Sequence, residues 1–478
     1  MDRHSCLAWI AWAFAIVIGC GPLVRAGVVD SIDAVLRDPA LKNAQVGIKV
    51  VRLGVRPEQT ETIYQRNAAT PLIPASNLKL ITTAAALEGL GADFQFRTVL
   101  LQKGSTLALI GDGDPTLGDA VMLKKLGMTS TTLIEQWADA LKARGLVSAD
   151  KLLFDDSIFD QQYQHPNWPA DQLHKWYAAG VAGLNFNVNC LDFYLLLKGA
   201  GNTVGYALDP QTAYATIDNT CQQGSRNAVW LSRQMGGNQI DLKGQTDSAN
   251  SEAISITVED PAAFAATVIK ETFARKGILI HAQPTRDLTI RARKDEWREL
   301  LVHETPIAAT LARANKDSIN MYAEALAKRL GAAQSGTAGS WSNGTAAVGR
   351  YLKTIGIPEA EFTLDDGCGL SRKNRVSPDA FVAVLARQFH SANRQTYLDN
   401  LAQAGVDGTL KRRFDDTPLR QRVLGKSGSI NRVSTLSGYV NGRDGNWYAF
   451  SVLFNDFGGG AGTSAHSLQE KIVLCIDR

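Results

Sequence analysis

The sequence predicts a mixed α/β (α+β) fold, in which helices flank an antiparallel sheet and a large β-rich region is inserted. Three features predict this fold. Two strand-like runs near the N-terminus lead directly into an apolar helix. The middle of the chain consists of short strand-like runs separated by turn-rich segments, and helix patterns return after Glu296 ahead of a final hairpin pattern. The length of 478 residues allows two or three domains.

The opening region supplies the first strands and helices. Ser31 to Leu41 has a short helix pattern. Val46 to Leu53 and Thr60 to Gln65 then form a predicted strand pair around a polar turn. The next helix runs from Ser76 to Leu87, is rich in Leu and Ala, and is followed by Gly91, which tolerates a left-handed cap. Two strands therefore lead into one helix.

The middle region, from about Thr98 to Arg293, has a different pattern. Helix patterns occur at Thr131 to Arg144 and at Ala262 to Lys276. The predicted strands are Thr98 to Gln102, Thr106 to Leu109, Leu152 to Asp155, Asn185 to Leu197 and Ile254 to Val258. Asn202 to Ser251 is polar and contains glycines, which is typical of a peripheral segment. We predict one or two inserted modules here.

Helix patterns return in the last third of the chain. The predicted helices are Pro306 to Ala314, Met321 to Leu330, Val348 to Ile355 and Pro378 to Phe389. Lys426-Ser427-Gly428 opens a predicted strand, and Ser434 to Val440 with Trp447 to Asn455 forms an antiparallel hairpin. A glycine-rich loop, Gly458 to Gly462, leads into a helix from Ala465 to Ile476.

Composition excludes some classes of function. The net charge is only +3, and no basic tract is interleaved with aromatic residues, so the sequence does not indicate nucleic-acid binding. The seven histidines form no His-Glu-x-x-His motif, and the cysteine spacing fits no zinc motif. We therefore expect neither a metal nor a cofactor.

Residues 1–26 have the pattern of an export signal. Arg3 precedes an apolar run from Leu7 to Ile18, which is too short for a comfortable membrane span. We favour cleavage after Ala26, which places the mature protein in the periplasm or at the cell surface. Val17 to Cys20 also resembles a bacterial lipobox, and processing there would instead leave a lipid on Cys20 and attach the protein to a membrane.

An exported protein can keep disulfides, and four cysteines remain after the signal. They are Cys190, Cys221, Cys368 and Cys475. Cys190 and Cys221 lie in the same region and could pair. Four cysteines allow three connectivities, so the pairing stays open.

The predicted apolar helix contains one ammonium group, Lys79. Burying a lysine is costly unless it is paired or loses its proton. Ser76 lies three residues earlier, on the same face of the helix, so a desolvated Lys79 can make it a nucleophile. The competing interpretation is a capping serine with a lysine that reaches solvent. A second Ser-x-x-Lys, from Ser148 to Lys151, sits in a polar turn, and we attribute it to chance.

Two further short motifs carry polar groups. Ser318-Ile319-Asn320 precedes the Met321 helix, where a hydroxyl and an amide can project into a cleft, although an N-cap explains it equally. In Lys426-Ser427-Gly428, the glycine leaves room for another backbone, and the cation and hydroxyl can hold a carboxylate. A solvated lysine at a strand edge is the alternative.

In the order Ser-x-x-Lys, Ser-x-Asn, Lys-Ser-Gly, these motifs form a rare combination. With them the chain resembles the penicilloyl-serine transferases, and among these the class C low-molecular-mass penicillin-binding proteins, which are D-alanyl-D-alanine carboxypeptidases/endopeptidases. The resemblance implies a serine β-lactamase/DD-peptidase-like fold. Other matching segments are Pro74 to Leu80, Gly113 to Leu117, Trp168-Pro169, Asn315 to Leu326, Asp365 to Pro378, Ala404 to Leu410 and Leu436 to Tyr439.

The family carries a large insertion between its first two motifs. By this resemblance we predict a discontinuous catalytic domain, residues 27–97 and 294–478, and an inserted region, residues 98–293. The chain departs from the family pattern at two positions: Ser427 replaces the usual Thr, and Cys368 stands where a Ser is expected. A thiol is a weaker hydrogen-bond donor, so a polar role at position 368 is in question.

The resemblance also implies a mechanism. Ser76 attacks the carbonyl between two D-alanines after Lys79 takes its proton, and the backbone N–H groups of Ser76 and Ser429 form the oxyanion hole. Ser318 and Lys426 relay the proton to the leaving amine, while Asn320 positions Lys79 and the substrate amide. Ser427, beside Gly428, contacts the substrate carboxylate, and Arg372 and Asp155 hold the stem peptide. β-Lactams are expected to acylate Ser76.

Two other functions are compatible with these residues. One is a β-lactamase or esterase of the same fold, although no residue is marked out as the second base that activates water. The other is a non-catalytic protein that binds the cell wall, against which the retention of all three motifs argues.

Overall fold

A computed structural model describes residues 21–199, 201–458 and 464–477, with side chains described from residue 27 onward. Cys20 and most of the predicted export signal therefore lie outside the described residues, as does most of the Gly458 to Gly462 loop. Among the described residues, no helix combines the length and apolar character needed to cross a bilayer.

The first region contains helix α1 (Gly21–Val35), strands β1 (Gln45–Leu53) and β2 (Glu61–Arg66), a 3₁₀ turn (Ala75–Asn77) and helix α2 (Leu78–Leu90). The predicted helix from Ser31 to Leu41 is wrong in its limits, because α1 ends at Val35 and Pro39–Leu41 form a separate 3₁₀ turn. A proline disfavours helical backbone in the residue before it, and the Asp38 side chain instead accepts from Ala40 N.

The inserted region contains most of the short strands. Its helices are α3 (Ala120–Lys124), α4 (Thr132–Ala143) and α5 (Pro261–Arg275). Its strands are β3 (Gln95–Lys103), β4 (Thr106–Ile110), β5 (Ser148–Ala149), β6 (Lys151–Asp155), β7 (Cys190–Leu196), β8 (Gly205–Asp209), β9 (Thr216–Asn219), β10 (Gln222–Gln223), β11 (Ala228–Arg233), β12 (Gln239–Thr246), β13 (Ile254–Thr257), β14 (Leu279–Ile280), β15 (Thr285–Arg286) and β16 (Arg298–Pro306).

The last region returns to helices and long strands. Its helices are α6 (Ile307–Lys316), α7 (Asn320–Ser335), α8 (Trp341–Thr354), α9 (Pro378–Phe389), α10 (Arg394–Asp399) and α11 (Ala465–Leu474). Its strands are β17 (Phe362–Thr363), β18 (Arg375–Val376), β19 (Ala402–Gln403), β20 (Val423–Ile430), β21 (Val433–Asn441) and β22 (Trp447–Asn455). Lys426 therefore lies in the middle of β20 rather than at the start of a strand.

Two predictions for the inserted region differ from the structure. The predicted strand from Asn185 begins only at Cys190, because Asn187, Val188 and Asn189 have φ values of 45°, 55° and 56°. Asparagine side chains bond to nearby backbone there: Asn189 Oδ1 accepts from Phe186 N at 3.0 Å, in competition with a strand ladder. The segment predicted to be peripheral, 202–251, carries strands β8 to β12 and buries Leu231, Ile240 and Leu242.

The central sheet joins both ends of the chain. Its strand order is β19-β20-β21-β22-β1-β2, and all of its pairs are antiparallel. β1 pairs with β22 from Gln45–Asn455 to Leu53–Trp447. Helix α9 packs against one side through β1, β21 and β22, while α1 and α11 pack against each other and against the strands. This architecture confirms the mixed class with an antiparallel sheet flanked by helices.

The inserted region has its own hydrophobic core. One cluster of buried side chains draws its members from Leu100 to Leu300, whereas another is built around α2, α7 and α9. The predicted limit between residues 97 and 98 falls within β3, and the limit between 293 and 294 falls within a 3₁₀ turn, Arg291–Glu296. The division into domains stays a prediction.

All residues of α2 from Leu78 to Leu87 are buried, including Lys79. The thiols of Cys190, Cys221 and Cys368 are also buried and free, so the suggested Cys190–Cys221 disulfide is not formed.

A buried ion pair attaches the inserted region to the helices of the last region. The Asp119 carboxylate accepts from Arg313 Nε at 2.9 Å, from Arg313 Nη2 at 3.1 Å and from the Tyr322 hydroxyl at 2.6 Å. Both charged side chains are buried. Since Arg313 lies on α6 and Tyr322 on α7, the pair holds the junction between these two helices in place.

Asp119→Ala is expected to lower the free energy of unfolding by about 3 kcal/mol, because it leaves the Arg313 guanidinium buried without this partner. Urea unfolding followed by circular dichroism measures the change. Glu61→Ala is the control: it removes the exposed partner of Arg52 at 2.8 Å, and we expect a loss of less than about 1 kcal/mol. Equal losses in the two variants would contradict the assignment.

Candidate active site

Ser76 lies in the short turn that starts α2, between the helix and the central sheet. The turn is held in an unusual conformation, since Ala75 has a φ of 45°. A Cβ at Gly369 would lie 1.8 Å from Ala75 O, so only glycine permits this close approach of the loop Asp365 to Asn374. Ser76 is partly exposed. Its hydroxyl is therefore accessible from one side and fixed by packed backbone on the other.

The Lys79 amine has three oxygen partners. Its Nζ lies 3.0 Å from Ser76 Oγ, 2.6 Å from Asn320 Oδ1 and 2.9 Å from the carbonyl oxygen of Cys368. The side chain is completely buried. Burial lowers the pKa of Lys79, and the charges of Cys368, Asp366 and Glu324 oppose this effect.

Ser318 and Lys426 form a second hydroxyl–lysine pair. Ser318 connects α6 to α7 with a φ of 62°, and its Oγ accepts from Lys426 Nζ at 2.9 Å. Lys426 Nζ also donates to Ser427 O at 2.7 Å. Lys426 is fully buried; burial, and then the charge of Lys79, lower its pKa well below the usual value.

Asn320 links the first pair to the inserted region. It is the first residue of α7, and while its Oδ1 accepts from Lys79, its Nδ2 donates to the Tyr177 carbonyl at 2.7 Å. Two strained residues, Ala75 and Ser318, thus flank a polar centre contributed by α2, α7 and β20. Strain of this kind tends to concentrate at functional sites.

Strand β20 runs directly beside Ser76. A Cβ at Gly428 would lie 2.8 Å from Ser76 N and 2.9 Å from Asn77 N, so glycine is required for the strand to come this close. Ser427 is half-buried and Ser429 is exposed. The predicted residues Ser427, Gly428 and Ser429 therefore belong to the part of β20 that runs beside Ser76.

The two predicted stem-peptide contacts have different surroundings. Arg372 is exposed on the loop that approaches Ala75, and its Nη1 donates to Asn431 O at 2.8 Å. Asp155 is completely buried in β6 and accepts from Ser157 N at 2.9 Å and Arg291 N at 2.7 Å. These bonds hold backbone of the inserted region in place, so we do not include Asp155 in the proposed site.

Sequence reasoning missed three groups at this centre. Two are the backbone carbonyls of Cys368 and Tyr177, and a carbonyl leaves no signal in a sequence. The third is the buried carboxylate of Glu324, whose oxygens accept from the backbone of Gly367 and Cys368. A signal for Glu324 existed, because it is a charged residue inside the apolar pattern from Met321 to Leu330, as Lys79 is inside α2.

Glu324, Asp366 and Cys368 also form a buried group of metal-binding type, with their potential ligand atoms within 4.8 Å of one another. Both carboxylates accept hydrogen bonds from backbone N–H groups of the loop that contains Asp366 and Cys368. Their geometry thus serves to shape this loop.

The chain is similar to known proteins along nearly its whole length. Residues 28–474 match a family described as the D-Ala-D-Ala carboxypeptidase 3 (S13) family. A D-alanyl-D-alanine carboxypeptidase from Actinomadura sp. strain R39 is 32% identical over 475 residues, covering 93% of this chain and 83% of that protein.

Solved structures show the same fold. Penicillin binding protein 4 from Haemophilus influenzae superposes with a TM-score of 0.76 at 24% identity, covering 93% of this chain and 98% of that one. Its structure in complex with a β-lactam has a TM-score of 0.70 at 23% identity, with the same coverage of each chain.

Lys426→Met is expected to flatten the pH dependence of stability. The unfolded lysine keeps its proton up to its usual pKa of 10.5, whereas the folded protein holds a neutral amine well below that pH. Between these two pKa values the unfolded state binds one more proton than the folded state. Lys426 therefore makes the wild-type free energy of unfolding rise by about 1.4 kcal/mol per pH unit. This gain is lost as the pH falls towards the pKa of Lys426 in the folded protein. Urea unfolding over about pH 8–10 measures the slopes, and parallel profiles would contradict a neutral Lys426.

Proposed function

The chain belongs to the D-Ala-D-Ala carboxypeptidase 3 (S13) family of serine peptidases, and we propose that it hydrolyses the D-Ala-D-Ala ends of peptidoglycan stem peptides through an acyl-enzyme on Ser76. The observation that carries this proposal is the 3.0 Å contact between Lys79 Nζ and Ser76 Oγ, made by a lysine that is completely buried.

Burial makes Lys79 a base, because it favours the neutral amine. A neutral amine has two N–H groups and one lone pair. Asn320 Oδ1 and the Cys368 carbonyl can only accept, so they take the two N–H groups, and the lone pair is left for the hydroxyl of Ser76. Lys79 then removes the proton as Ser76 Oγ attacks the peptide carbonyl.

The negative charge that develops on the carbonyl oxygen needs donors at fixed positions. The backbone N–H groups of Ser76 and Ser429 supply them in this proposal, since Gly428 lets β20 lie against Ser76 N. Backbone donors held by a helix start and a strand cost little reorganisation during the reaction.

The leaving D-alanine needs a proton. Ser318 Oγ is bonded to the second buried lysine, Lys426, at 2.9 Å, and this pair relays to the leaving amine the proton that Lys79 took from Ser76, which returns Lys79 to its neutral form. Burial lowers the pKa of Lys426 well below its usual value, so this lysine gives up a proton more readily than a solvent-exposed lysine does. Water then hydrolyses the acyl-enzyme.

The outer part of the cleft binds the substrate. The half-buried hydroxyl of Ser427 contacts the terminal carboxylate, and the exposed cation of Arg372 holds the stem peptide. Because the cleft is bordered by exposed residues on this side, we further propose that it accepts cross-linked peptides and cleaves them as an endopeptidase. β-Lactams, which resemble the acyl-D-Ala-D-Ala unit, acylate Ser76 and inhibit the enzyme.

The substrate also indicates a location. Peptidoglycan lies outside the cytoplasmic membrane, so we propose that the protein acts in the periplasm or at the cell surface. A lipid at Cys20 would anchor it to a membrane.

Ser76→Ala is expected to abolish both the covalent labelling by a fluorescent penicillin and the release of D-alanine from a synthetic pentapeptide. The chain offers a matched control in Ser148→Ala, which alters the other Ser-x-x-Lys sequence, on an exposed residue of β5. That variant is expected to label as the wild type does. Labelling that persists in Ser76→Ala would remove Ser76 as the nucleophile.

Endopeptidase activity is tested on purified cross-linked muropeptides. We expect the wild type to convert muropeptide dimers to monomers. Ser76→Ala is expected to release neither monomers nor D-alanine, since both reactions use the acyl-enzyme on Ser76. Mass spectrometry of the products separates loss of D-alanine from cleavage of the cross-link. Release of D-alanine with intact dimers would limit the enzyme to carboxypeptidase action.

A further inference from the structure

The direction of the Lys79 lone pair depends on the carbonyl of Cys368, which is part of a loop. The loop, Asp365 to Asn374, has no helix or strand of its own to hold it. A small shift of this carbonyl would release one N–H of the amine, and the lone pair would no longer be directed at Ser76. What holds the loop therefore matters for the reaction.

Glu324, on helix α7, binds the backbone of this loop. Its Oε1 accepts from Cys368 N at 2.8 Å, and both of its oxygens lie 3.0 Å from Gly367 N. Its Oε2 also accepts from Trp341 Nε1 at 2.8 Å. The carboxylate is completely buried, and three donors point at it. The residue whose carbonyl contacts Lys79 is thus held through its own N–H.

Asp366 holds the next residues of the same loop. It accepts from Gly369 N at 2.7 Å and from Ser371 N at 2.6 Å. The Cys368 thiol lies 3.8 Å from Asp366 Oδ2 and accepts from Leu370 N at 3.4 Å. At position 368 the backbone makes the short bonds, and the side chain does not.

We propose that Glu324 is a positioning residue for the reaction: by binding the N–H groups of Gly367 and Cys368, it keeps the Cys368 carbonyl on Lys79 and so directs the lysine lone pair to Ser76. This inference rests on the proposed function of Ser76 and Lys79. Glu324 itself does not touch the substrate.

The charge of Glu324 also affects the pKa of Lys79, the proposed base. Burial, together with the negative charge of Asp366, raises the pKa of Glu324 to about 7. The other ionisable groups near this carboxylate are Lys79 on α2, Cys368 on the loop and Lys328 on α7, and the ring of His165 contacts Trp341. Ionised Glu324 favours the ammonium form of Lys79, so its neutralisation lowers the pKa of Lys79.

The central test is Glu324→Gln, measured by stopped-flow acylation with a chromogenic penicillin between about pH 5 and about pH 9. Wild-type acylation, and its loss in Ser76→Ala, establish the proposed function first, so a change confined to the Glu324 variants bears on this inference alone. We expect acylation to slow by about 100-fold, because an amide NH₂ in place of Oε2 faces the N–H groups of both Gly367 and Trp341 and displaces the loop. We also expect the acid limb of the pH profile to move to lower pH, a shift that lost stability alone would not cause.

Trp341→Phe provides a rescue. It removes one of the two N–H groups that oppose the amide of the Gln variant, so the double variant is expected to acylate faster than Glu324→Gln alone. Taken singly, Trp341→Phe removes a favourable bond to Glu324 and is expected to slow acylation several-fold. Should Glu324→Gln fail to fold, this single variant still decides the matter, since an unchanged rate would overturn the proposal.

Glu88→Gln is the matched control. Glu88 lies on the same helix as Lys79, and its carboxylate accepts from Arg387 and Gln388, away from the loop. Its rate and pH profile are expected to match the wild type. A wild-type rate in Glu324→Gln, an acid limb that stays in place, or a double variant no faster than the single one would each overturn the positioning role.

Discussion

The arrangement of the candidate site depends on one fully buried amine. Lys79 Nζ has three oxygen partners within 3.0 Å and no water-exposed surface, and burial alone drives it towards the neutral form. A neutral amine in such a place would be an orphaned polar group if its partners moved. The surrounding structure is therefore built to keep two acceptors and one hydroxyl around a single nitrogen atom.

The fold gathers these partners from distant parts of the chain. The central sheet joins β1 to β22, which brings the C-terminal strand β20 alongside the start of α2. Helix α7 adds Asn320 and Glu324, and the inserted region closes the centre through Tyr177 and through the Asp119–Arg313 pair. The inserted region is thus attached to helices α6 and α7 at several points rather than through its two connections alone.

Much of this was predictable. The strand pair β1–β2, the hairpin β21–β22 and the helices from Thr132 to Phe389 followed from hydrophobic periodicity. Three short motifs carried the family resemblance, and the match of residues 28–474 confirms the family. The errors lie where local polar groups compete with regular structure, as at Asn187 to Asn189, or where a proline ends a helix, as at Pro39. The thiol at position 368 puts a polar role of that side chain in question, but the contact with Lys79 is made by the backbone carbonyl of Cys368.

By itself, the sequence determined which side chains are the candidates for the chemistry, because a lysine placed within an apolar helix and one turn after a serine is a local pattern. It also determined the fold class, since periodicity of 2 and 3.6 residues is local too. Only the tertiary structure decided which carbonyls accept from Lys79, that Glu324 binds the loop bearing one of them, and that Asp155 is enclosed. These facts depend on the approach of segments far apart in the chain, where backbone atoms common to every residue make the contacts.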